Sequence, residues 1–194
     1  MIPTTEKETR EKLIFKIREL AYLNTSDEPF TLASGKKSQH FFDMKPLMMD
    51  PESAHLVGVL IHSILDQFGD VDAIGGLELG AVPLTGIVIA KAGRGSELRG
   101  FIVRKEPKGR GGRKTGNPPG IEGSTLLPGD RVVLLEDVTT TGGSALKAAN
   151  MINDMGCKLI GCITILDREE GAADAFQSEE IVLIPLSTKS EIIG

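Results

Sequence analysis

The chain has 194 residues, of which 40% are hydrophobic and 25% are charged, and this composition is typical of a folded globular protein. The length predicts one domain with a substantial core. A formal net charge of −5 argues against general affinity for nucleic acids, and no apolar run reaches the length of a membrane-spanning helix. The first residues, MIPTTEKETREK, carry no signal-peptide core, so we expect a cytoplasmic protein with neither nucleic acid nor membrane as a partner.

The N-terminal part of the chain predicts a helix, a hairpin and a second helix. From Thr5 to Leu23, apolar residues recur at helical spacing among charged ones, which predicts an amphipathic packing helix. The segment Phe30–Lys45, read FTLASGKKSQHFFDMK, has a Ser-Gly turn signal and predicts a hairpin. Asp50-Pro51-Glu52 provides a cap, a first-turn proline and a first-turn acid, and Gly69 ends the helix that follows.

The middle of the chain alternates short strands with helices and loops. Val71–Gly76 predicts a strand, and Leu77–Gly80 on its own reads as an ordinary turn into a buried, almost wholly apolar helix over Ala81–Ala92. Gly100–Val103 predicts the next strand. Residues 104–120, which we call the basic loop, are too rich in Arg, Lys, Gly and Pro to pack. From composition alone, a solvated charge run and a functional loop fit this segment equally well.

The most informative stretch is Arg131–Ser144, read RVVLLEDVTTTGGS. Val132–Leu135 predicts a short buried strand, and apolar residues recur at helical spacing from Ala145 onwards. The polar residues between them therefore lie at the carboxyl end of a strand, where open parallel sheets bind ligands. After this stretch, Lys158–Leu166 and Ile181–Leu186 predict two more strands.

The chemistry of this stretch favours a ribose phosphate. The hydroxyls and glycines of Thr139–Ser144, which we call the phosphate cradle, can surround an anion together with a helix N-terminus. Glu136 and Asp137 repel phosphate, but they suit ribose hydroxyls or a hydrated Mg²⁺. An ordinary capped turn is the weaker interpretation, because a helix cap requires far fewer of these residues.

Several segments resemble a known family. Leu135–Ser144, read LEDVTTTGGS, resembles the phosphoribosyl pyrophosphate (PRPP) motif of the type I phosphoribosyltransferases. The FTLASGKKS of Phe30–Lys45, followed by aromatics and an acid, is similar to the N-terminal hood of the orotate phosphoribosyltransferases. The start of the basic loop, Arg104-Lys105-x-x-Lys108, matches that family's catalytic loop, and Asp167–Glu170 resembles its base-bordering segment.

The resemblance implies an α/β fold of the type I phosphoribosyltransferase kind, with a mostly parallel central sheet flanked by helices and a small N-terminal hood. The alternation of strands and helices from Val71 to Leu186 independently favours such a sheet. We expect a single domain over residues 1–194. Within it, residues 1–45 contribute a helix and the hood, residues 71–186 form the core, and the basic loop is flexible.

Functional positions follow from the resemblance residue by residue. The catalytic residues are expected to be Arg104, Lys105, Lys108 and Asp137. The PRPP-binding residues are expected to be Glu136, Asp137, Val138, Thr139, Thr140, Thr141, Gly142, Gly143, Ser144 and Arg110. Orotate is expected to contact Phe41, Phe42, Thr140 and Arg168, although position alone favours a surface ion pair for Arg168. The pyrophosphate loop is expected to be Leu77, Glu78, Leu79 and Gly80.

The implied reaction converts orotate and PRPP into orotidine monophosphate and pyrophosphate in de novo pyrimidine biosynthesis. The implied cofactor is Mg²⁺, held mainly through PRPP and water with no firm protein ligand. A homodimer that shares the basic loop across its interface is also implied. Two alternatives stay open. A transferase for another base is suggested by Ala33 and Arg110, where family members often carry Lys and His, and a non-catalytic nucleotide-sensing regulator could use the same fold.

Overall fold

The computed structural model describes residues 5–31, 35, 37–106 and 116–194. The strands are β1 (Tyr22–Asn24), β2 (Phe30–Thr31), β3 (Lys37–Ser38), β4 (His40–Phe42), β5 (Ala73–Leu77), β6 (Arg99–Val103), β7 (Ile121–Gly123), β8 (Arg131–Thr139), β9 (Lys158–Asp167) and β10 (Leu183–Thr188). The helices are α1 (Glu6–Leu20), α2 (Met44–Met49), α3 (Pro51–Phe68), α4 (Ala81–Ala92), α5 (Gly143–Asp154), α6 (Ala172–Ser178) and α7 (Lys189–Ile193).

The largest sheet has six strands in the order β10-β9-β8-β5-β6-β7. Neighbouring strands are parallel except β7, which pairs antiparallel with β6. The predicted, mostly parallel sheet is therefore confirmed. Strand order changes direction between β5 and β8, because the chain continues from β5 to β6 on one side and from β8 to β9 on the other. Such a switch point is where open α/β sheets bind ligands.

Helices cover both faces of this sheet, as the sequence predicts. In β8, Val133 and Leu135 pack into the cluster that contains residues of α1 to α4. Val132 and Leu134 pack on the opposite face with residues of α5 and α6. Successive strand residues point to opposite faces, so the apolar run of β8 serves both cores. Burial on both faces also explains why this strand is apolar at every position from 132 to 135.

The N-terminal segment differs from its prediction at one boundary. The helix begins as expected, with Thr5 and Glu8 forming a capping box, but it ends at Leu20 and does not reach Leu23. Tyr22 instead begins β1, which pairs antiparallel with β4. Pairing with a distant strand has therefore overridden the local helical pattern. The predicted hairpin is confirmed by the antiparallel pair β2–β3, and the short α2 is an element that the sequence pattern did not predict.

Two helices begin and end as predicted. Asp50 caps α3 by accepting a hydrogen bond from the Ser53 N–H, and Gly69 follows the helix with φ 75°. The bounds of α4 are confirmed, but the helix is buried on one face only. Val82 on its other face is 40% exposed, so the predicted burial of this apolar helix holds for one face only.

Later strands are longer or shifted relative to their predictions. The strand β8 continues through Thr139, because its parallel ladder with β9 reaches the pair Thr139 and Asp167. Glu136 and Asp137 thus lie on the strand and not in the loop after it, which corrects the predicted boundary. The last strand begins at Leu183, not Ile181. The elements β7, α6 and α7 were not predicted.

Candidate active site

Asp137 and Gly80 lie in contact at the switch point between β5 and β8. A Cβ atom added to Gly80 would overlap the carboxyl group of Asp137. The absence of a side chain at residue 80 therefore makes room for this acid. The predicted pyrophosphate loop and the predicted ribose-binding acid are thus adjacent in the fold. The peptide bond between Glu78 and Leu79 in this loop is cis, and the Leu79 side chain is exposed.

The phosphate cradle encloses a small cavity beside Glu136. This cavity, of about 60 Å³, is lined by Glu136, Val138, Thr139, Thr140, Thr141, Gly142, Gly143, Ser144 and Ala145. Gly142 has φ 81°, and a Cβ atom there would lie 2.9 Å from the Phe176 ring. Helix α5 begins at the next residue, and none of the described side chains caps it. Because first-turn N–H groups lack partners inside a helix, this end suits an anion.

Two buried oxygen atoms of this cavity have no hydrogen-bond partner among the described residues. They are Glu136 Oε1 and Thr139 Oγ1. Leaving a buried polar group without a partner costs about 1–3 kcal/mol, so folded proteins rarely do so without a ligand or water. A hydroxyl can donate a hydrogen bond to Glu136, and the Thr139 hydroxyl can donate to an anionic oxygen. This pair therefore fits a molecule that carries both groups.

Burial controls the charge of the two acids. It raises the pKa of Glu136 to about 8, with a further rise from the neighbouring charge of Asp137 and an opposing effect from Lys105. Burial also raises the pKa of Asp137. The Val138 N–H donates to Asp137 Oδ1 at 2.9 Å and counteracts part of that rise. Desolvation thus disfavours the charged forms until a ligand provides partners.

Arg168 is buried beside the cradle at the end of β9. Its backbone N–H donates to the Thr139 carbonyl at 2.9 Å, and its Nη2 lies 2.9 Å from Glu170 Oε1. The side chain is only 5% exposed, and Nε has no partner among the residues that the structure describes. The interpretation of Arg168 as a surface ion pair is therefore wrong, because the arginine is buried and only its partner Glu170, 21% exposed, reaches the surface.

The predicted orotate-binding aromatics lie in different surroundings. Phe42 is 6% exposed and lies under the Arg168 guanidinium, with its ring centroid 5.8 Å from Cζ. Phe41 is half-buried and packs against Phe30, with 5.4 Å between ring centroids. Phe42 therefore connects the hood to the arginine, whereas Phe41 connects two strands of the hood.

The basic loop leaves the sheet next to the predicted pyrophosphate loop. The Arg104 N–H donates to the Gly120 carbonyl at 2.8 Å, which joins the two ends of the loop. The Lys105 N–H donates to Glu78 Oε1 at 2.9 Å. The predicted site residues Lys108 and Arg110, and the hood residue Ala33, lie outside the described residues.

Within the described part of the chain, no three His, Cys, Asp or Glu side chains form a group suited to a metal ion. None of the helices that the structure describes is both long and apolar enough to cross a membrane.

The chain is similar in sequence to proteins of known function. Residues 47–188 match the phosphoribosyl transferase domain family. The orotate phosphoribosyltransferase of Aquifex aeolicus (strain VF5) is 41% identical over 186 residues, or 95% of this chain and 97% of that protein. This chain belongs to the orotate phosphoribosyltransferase family. The enzyme of that name from Rhodopseudomonas palustris (strain BisB18) is 43% identical over 164 residues, or 84% of this chain and 86% of that protein.

The fold of the family agrees with the one described above. A crystal structure of the Mycobacterium tuberculosis H37Rv orotate phosphoribosyltransferase, in complex with PRPP, superposes with a TM-score of 0.75 at 28% identity. The match covers 96% of this chain and 99% of that one. The resemblance drawn from the sequence and the predicted type I phosphoribosyltransferase fold are therefore confirmed.

Three contact residues around the site were missed by the sequence analysis. Glu122 pairs with Arg104, Glu170 pairs with Arg168, and Tyr22 stacks on Phe42. Glu122 and Tyr22 come from elements distant in the chain, so no local pattern marks them. Glu170 follows its partner by two residues and lies in the segment Asp167–Glu170, whose resemblance to a base-bordering segment was the available signal.

Proposed function

We propose that this orotate phosphoribosyltransferase-family chain transfers the phosphoribosyl group of PRPP to orotate and releases pyrophosphate. The product, orotidine monophosphate, belongs to de novo pyrimidine biosynthesis. The observation that carries the proposal is the cavity in which Glu136 Oε1 and Thr139 Oγ1 are buried without partners among the described residues. A ribose phosphate offers a hydroxyl to the first atom and an anionic oxygen to the second.

Each part of the site has one task in this proposal. Glu136 and Asp137 bind the ribose hydroxyls, and the phosphate cradle binds the 5′-phosphate through N–H and O–H donors. The orotate ring lies between the hood and the end of β9. There, Arg168 Nε, which has no partner among the described residues, can donate to the orotate carboxylate.

Bond breaking at the ribose is mainly an electrostatic problem. As pyrophosphate departs, its negative charge grows and the anomeric carbon gains oxocarbenium character. Arg104, Lys105, Lys108 and Arg110 are proposed to offset the charge on pyrophosphate. Positioning of orotate against the anomeric carbon and exclusion of water supply the rest, so no covalent nucleophile is needed.

The donor set of the site fits a Mg²⁺ ion that is held largely by its substrate. Mg²⁺ keeps several waters and typically takes only one or two protein carboxylates. Asp137, and Glu136 with its unpartnered Oε1, are the carboxylates that could orient those waters. When bound with PRPP, the ion would neutralise part of the pyrophosphate charge.

The remaining parts of the proposal concern the cellular location, the domain extent and the oligomeric state. We place the enzyme in the cytoplasm as a single domain spanning residues 1–194, and as a homodimer. In the homodimer, the distal part of the basic loop serves the partner's site. Support for this arrangement is the position of the loop, which connects β6 to the edge strand β7.

A spectrophotometric assay of orotate consumption with PRPP and Mg²⁺ tests the function. The wild type should consume orotate, and folded Asp137→Asn should lose roughly tenfold to a hundredfold in kcat/KM, since a hydrogen bond to a charged group contributes roughly 1.5–3 kcal/mol. Parallel assays with uracil, adenine and hypoxanthine test the alternative of another base. If no base is consumed while PRPP still binds, the chain is a nucleotide-sensing regulator.

A further inference from the structure

Glu78 is an acid in a loop that is proposed to receive pyrophosphate. A carboxylate pointing at pyrophosphate would repel it, because like charges disfavour one another at close range. The observed direction of the Glu78 side chain resolves this conflict. Its carboxyl group turns away from the loop and towards the start of the basic loop, where both of its oxygens have partners.

Three contacts fix this direction. The Glu78 backbone N–H donates to the Val103 carbonyl at 2.8 Å, which joins the pyrophosphate loop to the end of β6. Glu78 Oε1 accepts the Lys105 N–H at 2.9 Å, and Oε2 lies 3.8 Å from Arg104 Nε. The Glu78 side chain is 24% exposed, so these contacts are partly shielded from water.

The backbone at Lys105 is consequently held from both sides. Its N–H donates to Glu78, and its carbonyl lies 3.5 Å from Lys147 Nζ on α5. One residue earlier, the Arg104 N–H donates to the Gly120 carbonyl at 2.8 Å. A side chain can leave a fixed backbone in only a few directions, so these bonds restrict where the Lys105 ammonium can lie.

We propose that Glu78 is a positioning residue, which binds the Lys105 N–H so that the Lys105 side chain is directed at pyrophosphate. This inference rests on the proposed function, because it assigns pyrophosphate to that place. The hydrogen-bond acceptor, and not the negative charge, is the feature of Glu78 that matters. A carboxylate and an amide of the same shape should therefore serve equally well.

The test compares Glu78→Ala, which removes the acceptor, with Glu78→Gln, which keeps an acceptor and removes the charge. Glu122→Ala is the matched control, because Glu122 Oε1 also pairs with Arg104, at 3.5 Å from Nη1. Its carboxyl group makes no described hydrogen bond to Lys105. We expect Glu78→Ala to lower kcat about tenfold with an unchanged KM for orotate, and Glu78→Gln to recover most of this loss. Glu122→Ala should stay within about twofold of wild type.

Pyrophosphate binding, measured by calorimetry in the presence of Mg²⁺, separates this inference from the proposed function. If Glu78 acted only by repelling pyrophosphate, both Glu78 variants would bind pyrophosphate more tightly than wild type. We expect Glu78→Ala to weaken binding about tenfold and Glu78→Gln to bind at least as tightly as wild type. This comparison decides the inference even if orotate is not the substrate.

Three results would overturn the positioning role. The first is an unchanged or tighter pyrophosphate affinity in Glu78→Ala. The others are a loss of pyrophosphate affinity in Glu78→Gln, or in Glu122→Ala, as large as the loss in Glu78→Ala. Thermal melting verifies that each variant is folded. If Glu78→Ala does not fold, Glu78→Met takes its place, since it keeps the side-chain length and lacks the strong carboxylate acceptor.

Discussion

The guanidinium of Arg168 lies over the ring of Phe42, with 5.8 Å between Cζ and the ring centroid. The Tyr22 ring stacks on Phe42 with 5.2 Å between centroids, and its hydroxyl lies 2.7 Å from His40 Nδ1. This series of rings joins β1 and β4 of the hood to the arginine that is proposed to bind orotate. If Arg168 binds orotate as proposed, Phe42 contributes to that binding by supporting the guanidinium.

Replacement of the Phe42 ring should raise the KM for orotate without a matching rise in the KM for PRPP. Phe42→Leu keeps an apolar side chain but removes the cation–π contact, and we expect the KM for orotate to rise about three- to tenfold. The KM for PRPP should change little. Phe15→Leu is the control, because it removes an exposed ring on α1 that is outside the described site. Steady-state kinetics with each substrate varied in turn make the measurement. Equal rises in both KM values would instead mean general loosening of the fold.

The contact between Gly80 and Asp137 predicts a strong effect from a single methyl group. Gly80→Ala places a Cβ atom where the Asp137 carboxyl group now lies, so we expect kcat/KM to fall at least tenfold. Gly86→Ala on α4 is the matched control, because no described atom lies within 4 Å of its added Cβ. Alanine at that helical position should leave activity intact and add roughly 0.5–1 kcal/mol of stability. Wild-type activity in Gly80→Ala would contradict the described contact.

The raised pKa of Glu136 predicts a pH-dependent stability. Between its ordinary value of 4.5 and its folded value of about 8, folded Glu136 holds a proton that the unfolded chain releases. The free energy of unfolding therefore falls as the pH rises through this range. The side chain of Glu136→Gln cannot ionise, so this variant should lack that part of the fall in the free energy of unfolding. We therefore expect the difference in melting temperature, Glu136→Gln minus wild type, to increase by about 3–10 °C from pH 5 to pH 9.

Calorimetric melting of the ligand-free proteins at several pH values measures this difference. Glu122→Gln serves as the control, since it removes a carboxylate that is 40% exposed and lies outside the cavity. A pH-independent difference for Glu136→Gln would mean that Glu136 ionises as an exposed acid does.

The two lysines of the basic loop should behave differently in mixed dimers. Lys105 is tied to Glu78 of its own chain, whereas Lys108 is proposed to act in the partner's site. After subunit exchange with Asp137→Asn, Lys108→Ala should regain part of the wild-type activity, because one site of each mixed dimer then has both components. Lys105→Ala should regain none. Exchange is verified by mass spectrometry, and recovery in neither mixture would refute the shared loop.

Sequence patterns indicated the candidate site because the residues that line its cavity are nearly contiguous. The run from Glu136 to Ser144 contains acids, hydroxyls and glycines in one segment, and the structure places most of them around one cavity. Asp50 and Pro51 likewise predicted the start of α3, because a helix cap is a local interaction. Such features depend only on near neighbours in the chain.

Features that depend on distant partners were not predictable in this way. Tyr22 leaves the helical pattern because β1 pairs with β4, and Ile121–Gly123 forms a strand only beside β6. The burial of Arg168 against Phe42 joins two segments far apart in sequence. The pKa of Glu136 also depends on the packing around it, which the identity of the residue does not specify.

Because β6 and β7 pair antiparallel, the length of the basic loop that connects them can vary. Both ends of the basic loop are fixed by the bond between the Arg104 N–H and the Gly120 carbonyl, so insertions or deletions between them need not move either strand. Closing a longer loop is inexpensive, since each doubling of its length adds only about 0.6 kcal/mol of entropy. The fold thus permits loops of different reach on the same sheet and cavity.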